Sequence, residues 1–324
     1  MDASIILTYR CPMRCRMCSI WQHPTRVEEE FKPELLEKLP KLSSINVTGG
    51  EPVEREDLEE IVAILVRKSK RVVFSTNGWY TERIVALAQK YPQLGFRISL
   101  EGMEEKNDQL RGVEGGFQHG MRTLRALKDL GCKDLGFGIT LSGTNSEDML
   151  ALYRLSQELQ VEFATAASHN SFYFHKHDNV ISDKESVAKA LEQLAEKMLA
   201  EKILSKNSRK SWARAYFNTA LAAYVRGEKR PLPCYAGTTH FFLDPWGHVL
   251  PCNGMSQALS MGNLAQADSF EALWKSQRAQ EVRRKVKECR RNCWMIGMAS
   301  PSMKRHLIQV AWWVVIERLK RRLK

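Results

Sequence analysis

Six short apolar runs, each closed by a polar or glycine-containing turn, restrict this chain to a narrow set of folds. The runs are residues 4–8, 45–48, 72–75, 96–100, 135–141 and 161–166, and helix-patterned stretches at 33–42, 57–68, 81–90, 116–130 and 147–159 separate them. In 57–68, Leu58, Ile61, Ile64 and Leu65 recur at a helical period, and Asp57, Glu59 and Glu60 open the stretch, where a helix dipole favours acids. Pro33 suits the first turn of its own helix. Strand then helix in repetition predicts a parallel sheet with right-handed crossovers. Eight such units do not fit before residue 170, so the expected fold class is α/β with six strand–helix units, short of a full eight-unit β/α barrel. Barrels of this kind keep their chemistry on the turns after the C-terminal strand ends.

The first of those turns is Cys11-Pro12-Met13-Arg14-Cys15-Arg16-Met17-Cys18. Three thiols so close converge on one centre only if the chain loops around it, and soft thiolates select iron-sulfur clusters or zinc. Three local ligands leave one metal position open, which is the arrangement of a reactive site. These residues alone leave two readings: an iron-sulfur loop, or a zinc loop with His23 as fourth ligand. The second run ends in Gly49-Gly50-Glu51-Pro52, the third in Thr76-Asn77-Gly78 and the fourth in Glu101-Gly102.

CxxxCxxC after the first strand, followed by GGEP after the second, resembles the radical S-adenosylmethionine (SAM) superfamily, and the resemblance implies that family's usual core, a partial (β/α)6 barrel of the TIM type. The resemblance implies that Cys11, Cys15 and Cys18 hold a [4Fe-4S] cluster whose open iron takes the amino and carboxylate groups of SAM. It implies an enzyme that splits SAM reductively to a 5′-deoxyadenosyl radical and abstracts hydrogen from an unactivated carbon. Gly49 and Gly50 would let the backbone approach SAM where a β-carbon would clash, and Glu51 would accept from its amino group. Ser75, Asn77 and Ser99 fall where family members place ribose and carboxylate contacts. Arg111 matches an arginine that pairs with an anionic group on cofactor or substrate. One departure is Met17, where the superfamily usually has an aromatic residue; Trp21 is the candidate replacement. A flavodoxin- or ferredoxin-type reductase is the implied electron source.

After the sixth run, His169, Asn170, Phe172, Tyr173, His175, His177 and Asp178 crowd one loop at the catalytic end. His169, Asn170 and Tyr173 are the candidate substrate contacts; the competing reading is a surface loop whose histidines bind nothing. Residues 184–206 and 211–226 read as helices and 228–233 as a linker. Cys234, Cys252, Cys289 and Cys293 follow, with a hairpin turning at 244–247. This pattern resembles the auxiliary-cluster domain called SPASM, or its shorter twitch form. Full SPASM domains carry seven cysteines; four here imply one auxiliary [4Fe-4S] cluster. A four-cysteine zinc site is the rival, although such sites usually use tighter CxxC pairs. Cys132 reads as a structural thiol. The expected division is a barrel core over 1–180, a helical connector over 181–230, a small cysteine-rich auxiliary-cluster domain over 231–299 and a basic amphipathic helix over 300–324.

The net charge is +12, and seven basic residues against Glu317 after Met303 supply +6 of it. Leu307, Ile308, Ala311, Trp312, Val315 and Leu319 share one helical face, and the apolar run 310–316 is too short to span a bilayer. Paired tryptophans with basic flanks fit a helix lying in an anionic membrane surface. A helix packed on the body or on a second subunit fits the same face. The first residues have neither the basic region nor the long apolar run of a signal peptide, so the protein is expected in the cytoplasm, peripheral on the inner face of the membrane. Its cysteines there are ligands rather than disulfides.

The expected substrate is a lipid, a lipid-linked molecule or another membrane-associated small molecule. The alternatives are a peptide-modifying maturase and an enzyme acting on a soluble sugar or aminocyclitol. Many peptide-modifying relatives carry an N-terminal module that grips a leader peptide, and a first strand near residue 4 leaves none expected in this chain. A basic zinc-containing nucleic-acid binder explains the charge but not the Gly49–Pro52 turn, so no nucleic-acid partner is expected. An electron-transfer protein has no reason to leave a cluster with three cysteines.

Overall fold

The computed structural model describes residues 1–201 and 208–323. Strands β1 (Asp2–Ile6), β2 (Ser44–Thr48), β3 (Val72–Thr76), β4 (Gly95–Ser99), β5 (Leu135–Leu141) and β6 (Glu162–Ala167) run through the first half. Between them lie α1 (Leu58–Lys68), α2 (Thr81–Lys90), α3 (Glu104–Arg111), α4 (Gly116–Asp129) and α5 (Met149–Glu158). Then follow α6 (Lys184–Ala200), α7 (Ser208–Arg226), β7 (His240–Leu243), β8 (His248–Leu250), β9 (Gly262–Asn263), α8 (Phe270–Lys275), α9 (Gln277–Lys287), α10 (Ile296–Arg305) and α11 (Leu307–Arg322). These strands form one open sheet in the order β6-β5-β4-β3-β2-β1-β7-β8-β9.

Every neighbouring pair from β1 to β6 is parallel. β1 is buried on both faces beyond its first residue, as expected of an inner parallel strand, whereas β2 and β6 alternate buried and half-buried positions; Ile5, Ile45, Val47, Phe74, Phe96 and Phe137 are fully buried. Their rings interlock between strands: Phe74 stacks on Phe96 at 5.9 Å, and Phe137 meets Phe163 edge-on at 5.7 Å. Helix α1 turns Ile61 and Leu65 into this layer, and α4 turns Leu124 and Leu127. The partial (β/α)6 barrel is thus the observed core. The cysteine-rich segment extends its sheet, because β7 pairs with β1 in parallel. β7 and β8 form the expected hairpin, whose turn is fixed by Asp244 accepting from the Trp246 and His248 amides.

Three expectations need correction. The helix over 33–42 is a 3-10 helix over Pro33–Lys38 only. Pro40 is the reason: the residue before a proline is pushed out of the helical region, and Leu39 is extended at φ −66, ψ 142. Helix α3 escaped sequence reading because its eight residues, EEKNDQLR, carry one apolar side chain and so no period. At the end of the chain, the single helix expected over 300–324 is two: α10 begins earlier, at Ile296, with Pro301 inside it, and a break at His306 separates it from α11. Residues 202–206 of the expected helix over 184–206 lie outside the described residues.

Candidate cluster and cofactor sites

The cysteine loop leaves β1 and is pinned from beneath by the end of α3. The Arg14 amide donates to the Arg111 carbonyl at 3.0 Å, and the Arg16 amide to the Leu110 carbonyl at 2.9 Å. Gly112, left-handed at φ +65, permits this approach; a β-carbon there would stand 2.5 Å from the Arg14 carbonyl oxygen. Cys11, Cys15 and Cys18 are half-buried. Burial pushes the Cys11 and Cys18 thiols up to about 12 and raises Cys15 as well; iron bound to thiolates reverses that direction. Trp21 sits on the loop, its indole N–H donating to the Cys18 carbonyl at 3.0 Å. His23, the candidate zinc ligand, stacks instead on His175 at 4.3 Å.

The turn after β2 packs directly on the lead-in to Cys11. The Gly50 and Glu51 amides donate to the Thr8 and Arg10 carbonyls at 2.7 and 2.8 Å. A β-carbon on Gly49 would lie 2.8 Å from the Thr8 oxygen, and one on Gly50 only 2.3 Å from the Arg10 oxygen. Backbone already in place therefore demands both glycines, whatever SAM adds. The fully buried Glu51 carboxylate ties β2 to β3: it accepts from the Thr76 hydroxyl at 2.7 Å, the Asn77 amide at 2.7 Å and the Val53 amide at 3.3 Å. Burial still raises its pKa to about 7. The Asn77 side-chain amide reaches toward the Cys11 sulfur at 3.9 Å. Ser75 donates to the Asn46 side chain at 3.0 Å, and Ser99 stands half-buried at the end of β4.

Arg111 is buried beside the loop and pairs with the buried Glu101 at 3.0 Å. Its Nε has no partner among the described residues, and it is the main influence lowering the buried Cys15 thiol. Three soft thiols around a buried cation with a spare donor fit an anionic iron-sulfur cluster and the carboxylate of SAM.

The second constellation forms a cavity of about 320 Å³ lined by Cys234, Cys252, Cys289 and Cys293, with His169 and Arg291 at its wall. His169 Nδ1 donates to the Ala167 carbonyl at 3.1 Å, which leaves Nε2 as an acceptor 3.5 Å from the Asn253 amide. Burial lowers the pKa of this imidazole. Of the candidate substrate contacts, His169 and Asn170 thus line the auxiliary cavity, whereas Tyr173 is buried and donates from its hydroxyl to the Gly49 carbonyl at 2.9 Å. The three are not brought together.

The sequence model of the radical SAM superfamily matches residues 5–156, and that of the SPASM iron-sulfur cluster-binding domain matches residues 234–294. The chain belongs to the radical SAM superfamily. Radical SAM proteins are enzymes, and the cofactors here are SAM, its [4Fe-4S] cluster and auxiliary iron-sulfur ligation in the SPASM domain. The chain is 32% identical to the Fe-coproporphyrin III synthase of Methanosarcina barkeri over 48% of this chain and 40% of that protein. It is 25% identical to the antilisterial bacteriocin subtilosin biosynthesis protein AlbA of Bacillus subtilis, over 85% of this chain and 60% of that one. The chain therefore spans about half the length of these two relatives. Its fold matches the solved structure of native anSMEcpe with bound AdoMet and Cp18Cys peptide, at a TM-score of 0.66 and 14% identity over 99% of both chains.

Within this radical SAM frame, sequence reading missed Glu101, Ser171 and Asn253. Glu101 was visible as the acid ending the fourth strand. Ser171 and Asn253 had no signal, because each acts through a contact between distant segments.

Proposed function

We propose that the chain reductively cleaves SAM at Cys11, Cys15 and Cys18 and takes hydrogen from a carbon of a peptide substrate. The observation that carries the reading is the three-thiol loop clamped between the α3 carbonyls and the Gly49–Glu51 turn, with a buried cation at its side. When bound, the cluster supplies the electron that splits SAM into methionine and a 5′-deoxyadenosyl radical. Arg111 Nε would hold the SAM carboxylate, Gly49, Gly50 and Glu51 its methionine end, and Ser75, Asn77 and Ser99 the ribose side. Cys234, Cys252, Cys289 and Cys293 would hold one auxiliary [4Fe-4S] cluster, with His169 and Asn170 at the edge of the substrate space. A flavodoxin- or ferredoxin-type reductase in the cytoplasm would provide the electron. The segments 1–180, 181–230, 231–299 and 300–324 would serve as barrel, connector, cluster domain and terminal helix.

A peptide is preferred to a lipid because AlbA is a bacteriocin biosynthesis protein and the anSMEcpe structure contains a bound peptide. The test uses oxygen-free reconstituted protein, SAM, dithionite and separate pools of deuterated peptides and deuterated lipids. Deuterium appearing in 5′-deoxyadenosine from the peptide pool supports the reading; transfer from the lipid pool alone replaces peptide with lipid. Zinc in place of iron, with no SAM cleavage, overturns the whole proposal.

A further inference from the structure

Helix α11 is apolar on two opposite sides, and only one of them is covered. Val310 and Val314 are buried against the body, and the Trp313 ring meets Tyr216 edge-on at 5.2 Å. The residues that the sequence groups into one apolar face lie on the other side, in the open: Ile308 is 88% exposed, Trp312 66% and Leu307 64%, with Val315 and Leu319 about half exposed. At the helical rise, 307–319 makes a stripe about 20 Å long. Large apolar side chains grouped this way on an exposed surface mark an interaction site.

The charges around the stripe choose its occupant. Arg305, over the Tyr235 ring, stands at one end beside Lys304, which pairs with Asp2 at 2.7 Å, and Lys320 and Arg321 stand toward the other. Arg318 turns onto the body, donating to the Leu199 and Glu201 carbonyls over the Trp212 ring, whereas Arg321 donates to the Glu196 carbonyl, a neutral group that orients the cation without cancelling it. The one acid of the helix, Glu317, is paired with Lys320 at 2.8 Å. A second copy would set one basic helix against another, whereas an anionic lipid surface answers both the apolar stripe and its flanks. Among the described residues no helix is long and apolar enough to cross a membrane.

We propose that α11 is a peripheral membrane anchor that lies in the surface of an anionic bilayer with Leu307, Ile308, Trp312, Val315 and Leu319 buried among the lipids. This goes beyond the substrate reading and does not rest on it. The test is cosedimentation of the full reconstituted chain with phosphatidylcholine vesicles, with and without about 30% phosphatidylglycerol. The wild type is expected to pellet with the anionic vesicles and to be released by high salt. The exposed-site double variant Ile308→Asp, Trp312→Asp is expected to bind at least about tenfold more weakly while keeping its iron content and SAM cleavage. Wild-type protein that stays in the supernatant overturns the proposal, as does equal binding by the double variant. Sedimentation equilibrium separates the rival: a vesicle-independent dimer that the same double variant dissolves makes the stripe a subunit interface instead.

Discussion

The Ser171 hydroxyl donates to the Asn253 carbonyl at 2.7 Å, and through this bond one loop is tied to both cysteine constellations. Asn253 follows Cys252. In the other direction, the Phe174 carbonyl accepts from the amide of Ser19 at 2.9 Å, and Asn179 donates to the Met17 carbonyl at 3.0 Å, on either side of Cys18. The loop therefore fixes the separation of the two sites. Ser171→Ala is expected to lower stability by about 1 kcal/mol and to alter the electron paramagnetic resonance spectrum of the reduced auxiliary cluster. An unchanged thermal midpoint and spectrum would show that the tie holds nothing.

Gly50 offers a sharper test of how the first site is assembled. An alanine β-carbon would stand 2.3 Å from the Arg10 oxygen and 2.7 Å from the Tyr9 oxygen, both backbone atoms that cannot swing aside. Gly50→Ala is expected to destabilise the chain by about 1–3 kcal/mol. Because the displaced segment leads into Cys11, iron should fall from about eight per chain toward about four. Full iron content in a stable Gly50→Ala protein would mean that the turn packs more loosely than its hydrogen bonds imply.

The same glycines show what was legible in the sequence and what was not. Their presence after β2 could be read from the GGEP pattern, but their cause could not: the clash is with the residue 8–10 backbone, a contact visible only once β1 and β2 are paired. Strand runs were legible because each buries apolar side chains at least at alternate positions, as β2 does with Ile45 and Val47. Helix α3 was not, since a polar helix that works through its terminal carbonyls leaves no periodic trace. The stripe on α11 was found by its period, but period cannot say which of two apolar faces is covered. Tyr173 lies in the loop that follows β6, and the direction of its hydroxyl depends on a partner more than a hundred residues away.

Arg111 and Glu101 form a buried pair whose members should not be removed singly. Glu101 also accepts from the Thr140 amide at 2.6 Å, so it stays in place when the arginine is lost. Arg111→Met then leaves an uncompensated buried carboxylate and is expected to cost about 3–5 kcal/mol. The double variant Arg111→Met, Glu101→Gln should recover much of that loss in stability while remaining unable to cleave SAM. Denaturant unfolding of the two variants, read beside 5′-deoxyadenosine formation, separates support of the fold from contact with the cofactor. Equal stabilities would show that the pair is not coupled.

His240, which is none of the candidate cluster ligands, should make the protein acid-sensitive. Its ring lies buried on β7, with Nε2 3.3 Å from the Ser4 hydroxyl and Nδ1 without a partner among the described residues. Burial lowers its pKa from the usual 6.5 to about 4; nearby Lys304 adds to this and Asp2 opposes it. The unfolded chain therefore takes up a proton as pH falls through 6.5, while the folded chain does not until near 4. Stability is independent of this group above 6.5 and declines below it, at up to about 1.4 kcal/mol per pH unit. His240→Gln removes the titration, so the difference between wild type and variant in unfolding free energy should change between pH 7 and pH 5.5 and stay level from pH 7 to pH 8. A parallel decline in both proteins would place the acid sensitivity elsewhere, in the cluster ligands or the buried carboxylates.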